Sequence, residues 1–82
     1  MTAETTDTTP RRVDARWDTL TPREWEVLRL ICRGRTDVQI GKTLGISHRT
    51  VSTHAHSLYR KLGVESRTQA AIKAFRDRKV RR

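Results

Sequence analysis

The chain has 82 residues, a net charge of +9 at neutral pH and a single cysteine. A chain of this length folds as one small domain with little core to spare for a deep substrate pocket, which disfavours an elaborate enzyme. Residues 47–82 carry +8 of the charge, so we expect a polyanionic partner, and nucleic acid is the commonest one.

Residues 1–16 are rich in threonine and poor in large apolar side chains. Ordering such a segment costs conformational entropy that little burial offsets, so we interpret it as a flexible tail or linker. Its arginines also allow a basic arm along a phosphate backbone, although acidic neighbours weaken that interpretation. The segment is equally suited to connect the domain to another one.

Two short helices are predicted over residues 21–33 and 36–44. Each starts with a threonine N-cap that is followed three residues later by a glutamate or glutamine, the arrangement of a capping box. The two pairs are Thr21 with Glu24, and Thr36 with Gln39. Gly34 and Gly45 suit the left-handed position at which a helix ends. The sequence therefore defines both ends of each helix.

A third helix, over residues 47–62, combines one apolar stripe with one polar, cationic face. The stripe consists of Val51, Ala55, Leu58 and Leu62. Before it, Gly41 allows a close backbone approach and Gly45 allows an abrupt turn, while Val51 anchors the new helix. This spacing is typical of a helix-turn-helix.

A fourth helix is predicted over residues 66–79, with Ser66 as its N-cap and Gln69 in capping-box register. Its small residues allow close contact with another helix, either in the domain's own core or across the seam of a symmetric dimer. The dimer hypothesis assigns the seam to Ala70, Ala71, Ala74 and Phe75. We therefore predict an all-α, four-helix domain over residues 17–79 and a basic end over residues 80–82.

The cysteine, apolar and histidine residues argue against a disulfide, a membrane span and a metal site. Cys32 lacks a disulfide partner, which fits a reducing compartment, and no apolar run reaches the roughly 18 residues of a membrane span, so we expect a cytoplasmic protein with no membrane partner. His48, His54 and His56 are close in sequence, but His54 and His56 point about 200° apart on a helix and lack a further ligand. We expect neither a metal ion nor a cofactor.

The strings LTPREWEVLRLICRG, LGIS and RTVSTHAHSLYRKLGVESRTQA resemble the DNA-binding domain of the LuxR/FixJ/NarL/GerE family of bacterial transcription regulators. The resemblance covers about residues 20–75. It implies a helix-turn-helix formed by the second and third helices, and a homodimer on double-stranded DNA formed through the fourth. It makes RNA polymerase a further candidate partner. No receiver or sensing domain fits in 82 residues, so the chain is either a minimal regulator or the effector domain of a larger one, such as a response regulator.

The resemblance also implies roles for particular side chains. The third helix, residues 47–62, is the recognition helix, which lies in the major groove. The base contacts fall to Ser52, Thr53 and His56. The phosphate contacts fall to Lys42, Ser47, Arg49, Thr50, His54, Arg60 and Lys61.

The chain departs from the family pattern at three positions. Many relatives have a long side chain in place of Ser52 and a lysine or arginine in place of His56. Shorter groups reach fewer base atoms, so we expect a different favoured operator and more reliance on DNA shape. Trp25 occupies a position that is usually charged in the family, where it covers an exposed flank or contacts another domain.

Two other classes of function remain for comparison. A protein-interaction adaptor would use Trp25 and the fourth helix to bind a protein, with only non-specific nucleic-acid affinity. An enzyme is the weakest hypothesis, since the sequence contains no recognisable nucleophile with a neighbouring base, phosphate-cradling loop or pair of acids. Packing at the edge of the core is the favoured role for both tryptophans.

Overall fold

The structure, a computed structural model, describes residues 16–81. This part of the chain contains a 3₁₀ turn at Trp17–Thr19 followed by four α-helices and no strand. The helices are α1 (Pro22–Cys32), α2 (Asp37–Leu44), α3 (His48–Leu62) and α4 (Arg67–Arg76). The predicted all-α, four-helix fold is confirmed. Residues 1–15 of the predicted tail and Arg82 of the basic end lie outside the described residues.

The helix starts follow the capping residues of the sequence. Thr21 Oγ1 accepts a hydrogen bond from the Glu24 N–H at 3.1 Å, and Glu24 Oε1 accepts one from the Thr21 N–H at 2.9 Å. Thr36 and Gln39 make the same reciprocal pair at the start of α2. Each pair satisfies two backbone donors that the first turn leaves unbonded. The capping boxes predicted at Thr21 and Thr36 are therefore present.

The start of α4 differs from the predicted capping box. Ser66 Oγ accepts from the Gln69 N–H at 3.2 Å, but Gln69 Oε1 accepts from the Glu65 N–H at 2.7 Å and not from Ser66. Ser66 has an extended backbone, with φ −149° and ψ 164°, and the preceding N–H is the one within reach of the amide. The cap is therefore half of a capping box.

Helix α4 ends at Arg76, three residues before its predicted end. The Lys79 N–H bonds to the Ala74 carbonyl at 2.8 Å, and the Arg78 N–H bonds to the Phe75 carbonyl at 3.1 Å. Arg78 takes the left-handed conformation, with φ 57°. These bonds form a Schellman motif, which usually has glycine where this chain has Arg78. The sequence therefore did not predict this turn.

The core lies between the four helices. Val27, Leu28 and Ile31 of α1 pack against the predicted stripe of α3, and every member of that stripe is buried. The remaining core members are Leu20, Ile40, Ala70 and Ala74. Because α3 is buried along this one stripe, its opposite face is turned outward.

The turn between α2 and α3 depends on glycine. A Cβ added at Gly41 would lie 2.5 Å from the Ile46 carbonyl oxygen and 3.3 Å from the His48 nitrogen. The Ile46 N–H bonds back to the Gly41 carbonyl at 3.0 Å, and Gly45 takes the left-handed conformation with φ 72°. The turn therefore folds directly over Gly41, which places the start of α3 against α2.

The start and end of the described chain are joined. The Trp17 Nε1–H donates to Asp77 Oδ2 at 3.1 Å, and the rings of Trp17 and Trp25 stack with centroids 5.7 Å apart. Both tryptophans are partly buried against the core. They thus have the packing role expected from the sequence. The Arg16 N–H also bonds to the Lys61 carbonyl at 3.0 Å, which fixes the 3₁₀ turn to the end of α3.

Candidate nucleic-acid interface

The outward face of α3 carries a row of polar and cationic side chains. At about 100° per residue, Arg49, Thr53, His56 and Arg60 lie roughly 140–200° round the helix from Val51. All four are exposed, whereas Ser52 lies about 100° from Val51 and is half-buried. The predicted base-contact residues are thus on one side of the helix, with Ser52 at its margin.

The Thr53 hydroxyl already has a partner within the helix. Thr53 Oγ1 donates to the Arg49 carbonyl at 3.2 Å. With its hydrogen directed to the backbone, the oxygen presents lone pairs outward, where they can accept from an amino group of adenine or cytosine. Donation to a base acceptor requires the hydroxyl to rotate away from Arg49.

A neighbouring aromatic ring contacts the His56 ring. The rings of His56 and Tyr59 meet edge to face, with centroids 6.0 Å apart and an interplanar angle of 81°. Tyr59 is itself partly buried, and burial raises the pKa of its hydroxyl. An imidazole held by a partly buried ring loses less side-chain freedom when it contacts a base.

Several of the predicted phosphate contacts lie together at the start of α3. Ser47 Oγ accepts from the Thr50 N–H at 3.1 Å and lies 2.9 Å from Thr50 Oγ1. Both hydroxyls are exposed, as are Arg49 and Lys42 of the preceding helix. Helix N-termini attract anions through unbonded N–H groups and the helix dipole, so this end of α3 is suited to a phosphate.

Lys61 differs from the other predicted phosphate contacts. Its Nζ lies 2.7 Å from Glu24 Oε1 and donates to the Thr19 carbonyl at 2.9 Å, and its side chain is 28% exposed. The ammonium is thus already bonded to two oxygens of the domain. Contact with a phosphate would require it to leave a carboxylate that is buried. We therefore assign Lys61 to the attachment of α3 to α1.

Glu24 is the buried acceptor of this attachment and was predicted only as a capping residue. It is 3% exposed, and its Oε2 accepts from Ser57 Oγ at 2.7 Å. Burial raises the pKa of the Glu24 carboxyl, but hydrogen bonds from Lys61, the Thr21 N–H and Ser57, together with the Lys61 charge, outweigh it and hold that pKa below its ordinary value. Glu24 therefore stays ionised inside the domain and fixes the last two turns of α3.

A second attachment joins α4 to α2. Arg67 Nη1 pairs with Asp37 Oδ1 at 3.2 Å, and Arg67 Nη2 bonds to the Arg35 carbonyl. Neither this pair nor the partners of Glu24 were predicted from the sequence. Their members are 30 or more positions apart, beyond the reach of periodicity or capping rules. Only the opposite charges in the sequence pointed to such pairs.

The predicted dimer residues separate into two groups. Ala70 and Ala74 are fully buried in the core of their own domain, so the prediction that they form an outer seam is wrong. They were misassigned because a small residue suits close contact with either a core helix or a partner helix. Ala71 and Phe75 are half-buried at the surface, and the neighbouring Ile72 is 56% exposed. The outward apolar surface of α4 is therefore centred on Ile72.

The remaining functional interpretations concern metal ions and membranes. In residues 16–81, no three potential metal ligands among histidine, cysteine, aspartate and glutamate lie together. Cys32 is half-buried, and burial raises the pKa of its thiol. No helix in this part of the chain is both long enough and apolar enough to cross a membrane.

The described residues form an all-α helix-turn-helix domain, with α2 and α3 joined at Gly45 and the polar side of α3 outward. The family of bacterial regulatory proteins named luxR, or GerE, matches residues 18–74. A solved structure of the transcription factor GerE superposes with a TM-score of 0.69 at 35% identity, over 76% of this chain and 92% of that one. The chain belongs to the luxR family of bacterial regulatory proteins and contains its helix-turn-helix DNA-binding domain.

Full-length relatives are much longer than this chain. It is 46% identical over 63 residues to the transcriptional regulatory protein LiaR of Bacillus subtilis, which covers 77% of this chain and 30% of LiaR. It is 46% identical over 57 residues to the transcriptional regulator MalT of Yersinia pestis, which covers 70% of this chain and 6% of MalT. The similarity is therefore confined to one domain of each relative.

Proposed function

We propose that this domain binds a specific sequence of double-stranded DNA for a bacterial transcription regulator, with α3 in the major groove. One observation carries the proposal: α3 is buried along the stripe that begins at Val51, and its opposite side presents only polar and cationic groups. A major groove about 12 Å wide admits such a helix and displays a distinct pattern for each base pair.

The exposed side chains suggest how the contacts divide. Thr53 and His56 are near the middle of the outward face and can reach base edges, with Ser52 contacting a base at the margin. The phosphate contacts set register and salt-dependent affinity without reading the sequence. We assign those contacts to the half-buried His54 and to the exposed Lys42, Ser47, Arg49, Thr50 and Arg60.

Two copies of the domain would pair through the outward face of α4. Ile72 is one of the two exposed large apolar residues in residues 16–81, and Ala71 and Phe75 lie beside it. Pairing around a two-fold axis buries Ile72 against the same surface of the partner. A two-fold dimer favours an operator with inverted half-sites about one helical turn, roughly 10 bp, apart or a multiple of that.

The wider function rests on the family relationship. We infer that the regulator acts on DNA in the cytoplasm and affects transcription, with RNA polymerase as a candidate partner. A receiver domain, as in a response regulator, is one form that the rest of such a protein can take. This chain spans less than a third of LiaR, so these inferences concern a larger assembly than the domain itself.

Selection of bound duplexes from a random pool tests the proposal directly. We expect enrichment of a short motif in two inverted copies, followed by tighter gel-shift binding to that duplex than to a shuffled one. Enrichment without any motif, or equal affinity for the shuffled duplex, would contradict sequence-specific recognition. A single unpaired motif would contradict the dimer and leave specific binding supported.

A further inference from the structure

A second concentration of positive charge lies on the surface, outside the candidate DNA interface. Arg29 and Arg33 of α1 and three cations of the C-terminal segment line a concave region of about 410 Å³. We call this region the basic cleft, and its cations are Arg29, Arg33, Arg78, Lys79 and Arg81. A neighbouring cavity of about 420 Å³ shares Arg29 and Lys79 with it and extends to Trp25.

The basic cleft faces away from the recognition helix. Glu24 marks the side of α1 that contacts α3, through Ser57 and Lys61. Arg29 and Arg33 follow it by five and nine positions, which places them about 140° and 180° round the helix at 100° per residue. A duplex seated on the outward face of α3 is therefore on a different side of the domain from these two arginines.

The charge of the basic cleft is not neutralised within the described chain. In residues 16–81, none of its five cations forms an ion pair with a carboxylate. Glu26, beside the neighbouring cavity, pairs with Arg23, and Asp77 bonds to Trp17 and Lys73. Like charges gathered in a concavity repel one another and focus a positive potential that attracts an anion.

Aromatic stacking holds the walls of the basic cleft in place. Trp25 of α1 stacks on Trp17, whose Nε1–H bonds to Asp77 at the end of α4. The Arg29 guanidinium lies 5.8 Å from the centre of the Trp25 ring, and the Lys79 ammonium lies 5.8 Å from the centre of the Trp17 ring. These contacts orient two of the cations before any ligand arrives, which reduces the entropy lost on binding.

The backbone conformation of Arg78 is a second indication that the basic cleft is a binding site. Arg78 takes the left-handed conformation at the position where a Schellman motif favours glycine. A long side chain there adds backbone strain that glycine would avoid, and such strain is concentrated at functional sites. In this chain it brings a guanidinium into the basic cleft.

We propose that the basic cleft binds a free polyphosphate anion, either an inorganic chain or the phosphate chain of a nucleotide. Several guanidinium groups around one concavity match the bidentate geometry and the closely spaced charges of linked phosphates. A volume of about 410 Å³ is within the range of small-molecule sites and accommodates such a chain. The site is separate from the proposed DNA contacts, so the proposal stands or falls independently of sequence-specific recognition.

Intrinsic fluorescence provides a local readout, because Trp17 and Trp25 are the only tryptophans of the chain and both adjoin the cleft. Tripolyphosphate and ATP are titrated at about 0.15 M salt, which screens diffuse surface attraction. We expect a saturable change in fluorescence with both anions. Tighter binding of ATP would support a nucleotide as the source, and equal binding would support the phosphate chain alone. An absence of any change would overturn the proposal.

Two double variants separate the cleft from general basic charge. R33Q/R81Q removes two cleft cations, and R49Q/R60Q removes the same charge from the outward face of α3. All four side chains are exposed, and circular dichroism checks that each variant folds. We expect tripolyphosphate affinity to fall about tenfold or more in R33Q/R81Q and to stay unchanged in R49Q/R60Q.

The same variants are then titrated with a duplex of random sequence. Unchanged duplex affinity in R33Q/R81Q supports a free anion as the ligand. A loss equal to that of R49Q/R60Q would show that the cleft binds DNA phosphates and would overturn the proposal. Equal losses of tripolyphosphate affinity in the two variants would also overturn it, because they would indicate diffuse attraction by net charge.

Discussion

Lys61 of α3 lies with its Nζ 2.7 Å from Oε1 of Glu24 on α1. The carboxylate is almost completely buried, and the ammonium also bonds to the Thr19 carbonyl. This pair attaches the C-terminal end of α3 to α1 and so helps to orient the outward face of α3. A lysine that the family resemblance assigns to a DNA phosphate is thus bonded within the domain itself.

Replacement of Glu24 by glutamine is expected to destabilise the domain. E24Q keeps the shape of the side chain but leaves the partly buried Lys61 ammonium without its counter-charge. We expect a loss of about 1–3 kcal/mol in the free energy of unfolding, measured by urea denaturation. The control is E26Q, which removes an exposed ion pair with Arg23 and is expected to change stability by less than about 0.5 kcal/mol. Equal effects of the two variants would contradict the role of Glu24.

Lowering the pH is expected to reduce the stability of the domain, because it protonates the Glu24 carboxylate. The pKa of Glu24 is lower in the folded domain than its ordinary value of 4.5. Its ionised form therefore contributes stability above the ordinary value, and this contribution is lost as the pH falls through the folded-state pKa. Urea denaturation between neutral and acidic pH measures the loss. In E24Q the decline on acidification is expected to be smaller; a decline as steep as in the parent chain would assign it to other carboxyls.

Base reading is expected to depend on Thr53 and His56. Replacing either by alanine removes a candidate base contact, and we expect discrimination between the selected operator and a single-base mismatch to fall by about 1–3 kcal/mol. R49Q serves as the comparison because it removes a candidate phosphate contact. It is expected to weaken all duplexes alike and to reduce the slope of log affinity against log salt by about one unit. Reversal of these two patterns would exchange the assigned roles.

The fourth helix offers a test of pairing that separates the surface from the core. We expect I72D to fold normally and to lose cooperative binding to a duplex with two half-sites, because the charge would be buried at the seam. A70L instead forces extra volume into the core and is expected to cost about 1–3 kcal/mol of stability. Gel shifts with one and two half-sites, together with urea denaturation, measure both effects. Unchanged cooperativity in I72D would exclude this face as the seam.

The turn before α3 is expected to be intolerant of any side chain at Gly41. In G41A the added methyl meets the Ile46 carbonyl oxygen, so the turn must move away from α2. We expect a loss of about 1–3 kcal/mol in urea denaturation. The control T43A is on the same helix, is exposed and is expected to change stability by less than about 0.5 kcal/mol. A stable G41A domain would contradict the close packing of the turn.

Local chemistry made most of the fold predictable. The reciprocal caps at Thr21 and Thr36 follow from hydrogen bonds that span three residues, and the stripe beginning at Val51 follows from the helical repeat. Relationships between distant segments were not accessible in this way. The partner of Lys61 is 37 positions earlier in the chain, and nothing in α4 itself showed which of its small residues face inward. The early end of α4 also escaped prediction, because an arginine occupies its left-handed position.

The hydrogen bond between Trp17 and Asp77 joins residues that are 60 positions apart and closes the described chain into a ring. Because these two ends lie close together, we expect the domain to tolerate circular permutation, in which the ends are linked and the chain is cut at an exposed loop such as the one at Gly34.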